Sequence, residues 1–97
     1  MKQIPKNKIN LTCQNHGVEK LYIFGSYVRG ENNVDSDIDL LVSFNENIPT
    51  NFFDNFFELQ FSLENIFKRK IDLIIESSLK NPYLIESINK DKVLIYG

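Results

Sequence analysis

The sequence predicts an α/β (α+β) domain, a small mixed sheet of three to four strands flanked by helices. Three observations lead there. Apolar runs such as Leu21-Tyr22-Ile23-Phe24 are short and continuous, as strands covered on both faces should be. They alternate with helical patterns in the order α-β-(α)-β-α-β-α-β, which suits helices packed on a sheet. The chain has 97 residues, 42% of them hydrophobic, with eight Phe and four Tyr. That is enough for one core and too little for two, so residues 1–97 form a single domain.

Each element has its own signal. Residues 5–16 predict a helix, with Pro5 at its start, Ile9 and Cys13 on one face and Gly17 at its end. Residues 20–25 predict the first strand. Ser26 to Gly30 predicts a single helical turn stopped by Gly30, and Glu31-Asn32-Asn33 a loop. Asp37 to Phe44 predicts the second strand, with Ile38, Leu40 and Val42 on one face and Asp37, Asp39 and Leu41 on the other. After a polar connection containing Pro49, residues 52–68 give the strongest helical pattern. Phe53, Phe56, Phe57, Phe61, Leu63 and Phe67 recur mostly at spacings of three and four. That stripe is expected to pack in the core, and its excess of aromatic area leaves a partner surface as the alternative. Ile71 to Glu76 predicts the third strand, Pro82 to about Asn89 a last helix, and Val93 to Tyr96 a short strand or extended tail.

Bulk composition narrows the function. Net charge is −2 and the pI is near 5.3, so the broad basic face of a nucleic-acid binder is missing. Lys68-Arg69-Lys70 is the single basic cluster and reads as a solvated helix end. Cys13 is the only cysteine, which excludes an intrachain disulfide and suits a small core residue in a reducing compartment. No apolar run approaches the ~18 residues of a membrane span, and no charged-then-apolar leader opens the chain. The expectation is a cytoplasmic protein without membrane or direct nucleic-acid contact. His16, just before Gly17, reads as a helix-end residue rather than a catalytic or metal-binding one.

The chemistry concentrates in Gly25-Ser26-Tyr27-Val28-Arg29-Gly30 and Ser36-Asp37-Ile38-Asp39. Side chains two apart on a strand share a face, so Asp37 and Asp39 converge. Two such carboxylates repel unless a cation lies between them or one is protonated. Hard oxygen ligands select Mg²⁺ or Mn²⁺. Asp72, alone within the apolar strand pattern 70–75, is a third candidate, because an unpaired charge buried there would be expensive. Three carboxylates together suffice for two cations about 3.5–4 Å apart, the arrangement that serves phosphoryl transfer. Gly25 lets a backbone approach a phosphate closely, and Ser26 adds a hydroxyl donor. A helix starting at Ser26 would favour an anion at its N-terminus. Arg29, one turn on, is placed to reach a phosphate or to fix a carboxylate. Tyr27 is open to either stacking near a nucleotide or packing on the sheet.

Gly25-Ser26, ten residues, Asp37-x-Asp39 and a distant strand Asp72 resemble the DNA polymerase β-like nucleotidyltransferase superfamily, whose fold is palm-like. Phe24 to Gly30 and Ser36 to Val42 look like its minimal nucleotidyltransferases, over nearly the whole chain. Val28, where Ala is more usual, is a mild departure. The resemblance implies that Asp37, Asp39 and Asp72 bind two Mg²⁺ (Mn²⁺ is the other option). It implies that Gly25 and Ser26 hold ATP, with Arg29 as the motif arginine. It further implies an antitoxin that transfers AMP to a tyrosine of a cognate HEPN-domain toxin. The chain has no room for a built-in acceptor domain, which fits an acceptor on another protein. Two alternatives stay open: a non-catalytic antitoxin that acts by binding, through the Phe-rich helix, and a small-molecule nucleotidyltransferase subunit.

Overall fold

A computed structural model describes residues 4–31 and 37–97. Asn32 and Asn33 of the expected loop, and Ser36 of the motif, lie outside the described residues. The elements run α1 (Lys6–Asn15), β1 (Val18–Phe24), α2 (Ser26–Arg29), β2 (Ile38–Phe44), α3 (Phe52–Phe67), β3 (Ile71–Ile75), a 3₁₀ turn (Glu76–Ser78), α4 (Pro82–Asp91) and β4 (Val93–Tyr96). The four strands form one mixed sheet in the order β3-β2-β1-β4. β1 pairs antiparallel with both β2 and β4, and β2 pairs parallel with β3. A parallel pair needs a crossover, which α3 supplies between β2 and β3.

The sheet is covered on both faces. On one side α1 and α3 bury Ile9, Cys13, Leu59 and Leu63 against Leu21, Ile23, Ile38, Leu40, Val42, Ile71 and Leu73. On the other, Ile88 of α4 packs on Phe24 and Leu41, with Tyr22, Ile74 and Leu79 around them. Burial of one such aliphatic side chain is worth roughly 1.5–3 kcal/mol, so the α1–α3 layer carries most of the core. Cys13 is fully buried, which pushes its thiol up to about 12 and keeps it protonated. Among the described residues no helix is long and apolar enough to cross a membrane.

Several boundaries differ from expectation for local reasons. β1 starts two residues early, at Val18, because Gly17 (φ 67°) turns the chain straight into the sheet and its carbonyl accepts from Asn45 N at 2.8 Å. α4 runs on to Asp91; its start is fixed by Asn81, whose Oδ1 accepts from Tyr83 N at 2.9 Å and Leu84 N at 3.3 Å, followed by Pro82. β4 is a true edge strand, paired through Leu21↔Tyr96, Tyr22↔Leu94 and Ile23↔Val93. His16 closes α1, its Nδ1 lying 2.7 Å from Thr12 O.

The aromatic stripe of α3 is the main correction. The residues this helix buries are Asn55, Leu59 and Leu63. Phe53, Phe57 and Phe61 are 73%, 61% and 67% exposed. Leu63, Phe56 and Phe67 of the stripe pack in or against the core as expected, with Asn55 and Leu59 beside them, while Phe53, Phe57 and Phe61 are left outside.

Candidate active site

β1 delivers the chain to one end of the sheet, where Gly25 makes the turn into α2. Its φ of 77° and ψ of −149° belong to a region that only glycine occupies comfortably. A Cβ there would also run into Asp39 Oδ2. Glycine is therefore required twice, by the backbone and by the carboxylate against it. α2 begins at Ser26, with Val28 N and Arg29 N donating to Gly25 O at 3.1 and 3.2 Å. Gly30, left-handed at φ 76°, ends it. Tyr27 and Val28 lie against the main core, so Tyr27 takes the packing role of its two options.

The sheet register brings two of the three acids together. Asp39 is paired with Phe24 on one side and with Asp72 on the other. Register partners point to the same face, so both carboxylates lie on the α4 side of the sheet, beyond the patch that Ile88 covers. Asp37 precedes β2 by one residue, two positions from Asp39. Asp37 and Asp72 are exposed and Asp39 is half-buried. Asp72 thus escapes the burial its apolar neighbours suggest: β3 is an edge strand, and while Ile71 and Leu73 turn into the core, Asp72 is exposed on the other face. Burial, then the nearby charges of Asp72 and Asp37, hold the Asp39 carboxyl above its ordinary value; Arg29 acts weakly in the opposite direction.

A divalent cation fits this donor set. The acids supply hard oxygens, and Asp39 lies partly buried beside the charges of Asp72 and Asp37, where a cation would offset both the burial and the repulsion. Among the described residues no three acidic, His or Cys side chains are yet gathered closely enough to ligate an ion. Asp37 and Asp72 would have to turn toward Asp39 to complete a site.

Arg29 takes the second of its two options in this structure. Its Nη1 donates to Asp91 Oδ2 at 2.6 Å and its Nε to Glu31 Oε1 at 3.1 Å. The Asp91 bond first, and then Glu31, raise the pKa of an already cationic group. Neither carboxylate is visible as a site residue in the sequence. The one available signal is that Asp91 sits in the last turn of α4, where the helix dipole disfavours a negative charge.

Comparison with known proteins identifies the family and the fold. Residues 7–97 match the family model described as polymerase beta, nucleotidyltransferase. A Methanocaldococcus jannaschii protein, provisionally named a protein adenylyltransferase, is 38% identical over 96 residues, covering 98% of this chain and 94% of its own length. The protein adenylyltransferase MntA of Thermococcus cleftensis is 48% identical over 65 residues, 67% of this chain and 63% of that one. A structure described as a minimal nucleotidyltransferase superposes with a TM-score of 0.74 at 31% identity, covering 91% of this chain and 86% of that chain. A toxin–antitoxin structure with AMP-PNP gives 0.73 at 24% identity, over 97% and 74% of the two chains. A complex of tri-AMPylated Shewanella oneidensis HEPN toxin with MNT antitoxin gives 0.63 at 23%, over 95% and 69%. The last two likenesses are of fold. With a family match over nearly all its length and a relative of its own size, the chain belongs to the polymerase β nucleotidyltransferase family.

Proposed function

We propose that this protein transfers AMP from ATP to a tyrosine hydroxyl of a cognate HEPN-domain toxin, acting in the cytoplasm as the antitoxin of that pair. The observation that carries the reading is the register Phe24–Asp39–Asp72, which lays two carboxylates beside the Gly25 turn. Its support from outside the chain is the adenylyltransferase naming of relatives and the AMPylated toxin and AMP-PNP in complexes of the same fold.

The roles follow from position. Gly25 and Ser26 receive the triphosphate where the backbone is stripped of side-chain bulk. Asp37, Asp39 and Asp72 would hold two Mg²⁺, which when bound supply neutralisation of phosphate charge. The acceptor oxygen bonds to the α-phosphorus as the bond to the β-phosphate oxygen breaks, and pyrophosphate leaves. Asp72, exposed at the sheet edge, takes the acceptor's proton. Most of the rate enhancement is positioning and electrostatics.

The test is direct. Purified protein, ATP, Mg²⁺ and the toxin encoded beside it should give toxin heavier by whole AMP residues in intact-mass spectra, and Asp39→Asn should give none. Suppressed toxicity with no adduct from the wild type would sink the enzymatic reading. A second reading, neutralisation by binding alone, gains from one observation: the outward Phe53, Phe57 and Phe61 of α3 form an apolar surface exposed among the described residues. Full neutralisation by Asp39→Asn would favour it.

A further inference from the structure

We propose that Asp91 is a positioning residue for nucleotide binding: from the last turn of α4 it holds the Arg29 guanidinium, and through it the α2 turn, in place for the triphosphate. The inference rests on the reading that this turn and Arg29 meet the phosphates.

The contact is non-local. Arg29 Nη1 and Asp91 Oδ2 are 2.6 Å apart across 62 residues of sequence, a charge-assisted bond of the short, strong kind. Glu31, the other partner at 3.1 Å, is only two residues from Arg29. A neighbour in the same turn cannot set where that turn stands relative to the sheet. Asp91 can, because α4 is anchored through Ile88, which is buried against Phe24 and Leu41. The Asp91 side chain is also the better shielded of the two carboxylates, 26% exposed against 62% for Glu31.

α2 needs such a tether. It is four residues long, and one turn of helix does not hold itself together in water. Tyr27 and Val28 seat one side of it on the core, and the Arg29–Asp91 bond fastens its exposed C-terminal end to α4. Asp91 is, moreover, on the wrong end of its helix for the dipole, and the Arg29 bond offsets that. Nε–H and one Nη1–H are engaged among the described residues, two of the five guanidinium donors, and a guanidinium can bond a carboxylate and an anion at once. Asp91 can therefore keep its hold on Arg29 while the same guanidinium meets phosphate.

The experiment measures Mg²⁺–AMP-PNP binding by calorimetry on the full chain. Asp91→Ala should weaken binding about tenfold, the order expected for loss of one hydrogen bond between charged groups. In transfer assays the loss should fall on KM for ATP more than on kcat. Arg29→Ala should weaken binding similarly, and the double variant no further, because the two residues act as one unit. Asp91→Glu, which keeps the charge, should recover most of the affinity, and Glu86→Ala on the exposed side of α4 should match the wild type. Should Asp91→Ala fold poorly, Asp91→Asn removes the charge while keeping the shape and serves in the same cycle. Wild-type affinity in folded Asp91→Ala or Asp91→Asn, or additive losses in the double variant, overturns the inference while the nucleotide site stands. Failure of the wild type itself to bind AMP-PNP overturns both.

Discussion

Asp39 shows at single-residue scale how the site conflicts with the fold. Its carboxyl is partly desolvated and faces Asp72 and Asp37, so the folded protein binds that proton more tightly than the unfolded chain. A folded value above the ordinary one means stability present at low pH and lost as pH climbs through the folded value. In metal-free buffer the wild-type unfolding midpoint should therefore fall between the ordinary carboxylate range and neutrality more than that of Asp39→Asn. Mg²⁺ should restore the wild type and leave the variant unmoved. Identical pH profiles for the two proteins would count against this. The Gly25 turn and the shared face of Asp39 and Leu41 were legible in the sequence, because a positive-φ turn favours glycine and a strand alternates its faces. Asp91 was not legible: its partner lies 62 residues away, and the one local sign, an acid in the last turn of a helix, names no partner.

At the scale of one element, α3 explains why periodicity misleads. Asn55, Leu59 and Leu63 repeat every four residues, and so do Phe53, Phe57 and Phe61. The two rows are two positions apart, about 200° around the helix. The sequence therefore announces a helix correctly while offering two apolar faces. The choice is made by shape and by one polar contact: Asn55 Nδ2 donates to His16 O at 2.8 Å, tying α3 to the end of α1. Buried Asn55 was unreadable for the same reason as Asp91, since its acceptor is 39 residues away. Leu63→Ala should cost about 2–5 kcal/mol in denaturant unfolding. Phe53→Ser with Phe61→Ser should change stability by no more than about 0.5 kcal/mol per site. If α3 meets the toxin, that pair should abolish co-purification while AMP-PNP binding is retained. Unchanged toxin capture would remove α3 from the interface.

For the molecule as a whole, the sheet separates two surfaces. Asp39 and Asp72 lie on the α4 side, and the exposed phenylalanines ride on the opposite layer. The layered α/β class and the sequence of elements were legible from alternating patterns. The strand order β3-β2-β1-β4 was not, because pairing between strands leaves no mark on either strand alone. A domain of 97 residues has a thin margin of stability, so ligand binding should be conspicuous. Mg²⁺–ATP at a hundredfold excess over its Kd should add about 2.7 kcal/mol. Each kcal/mol moves the midpoint of a domain this size by roughly 4–8 °C. A flat melting profile on titration would argue against a nucleotide site.

The parallel pairing of β2 with β3 has a consequence for the order of events during synthesis. A ribosome makes the phosphate turn and the first two acids early, but Asp72 arrives only after the whole α3 crossover, and Asp91 later still. An unfinished chain thus lacks Asp72 and has only Glu31, not Asp91, to hold its arginine. If the protein disarms a toxin by catalysis, protection begins with the released, fully folded chain, and a toxin made at the same moment is briefly ahead of it.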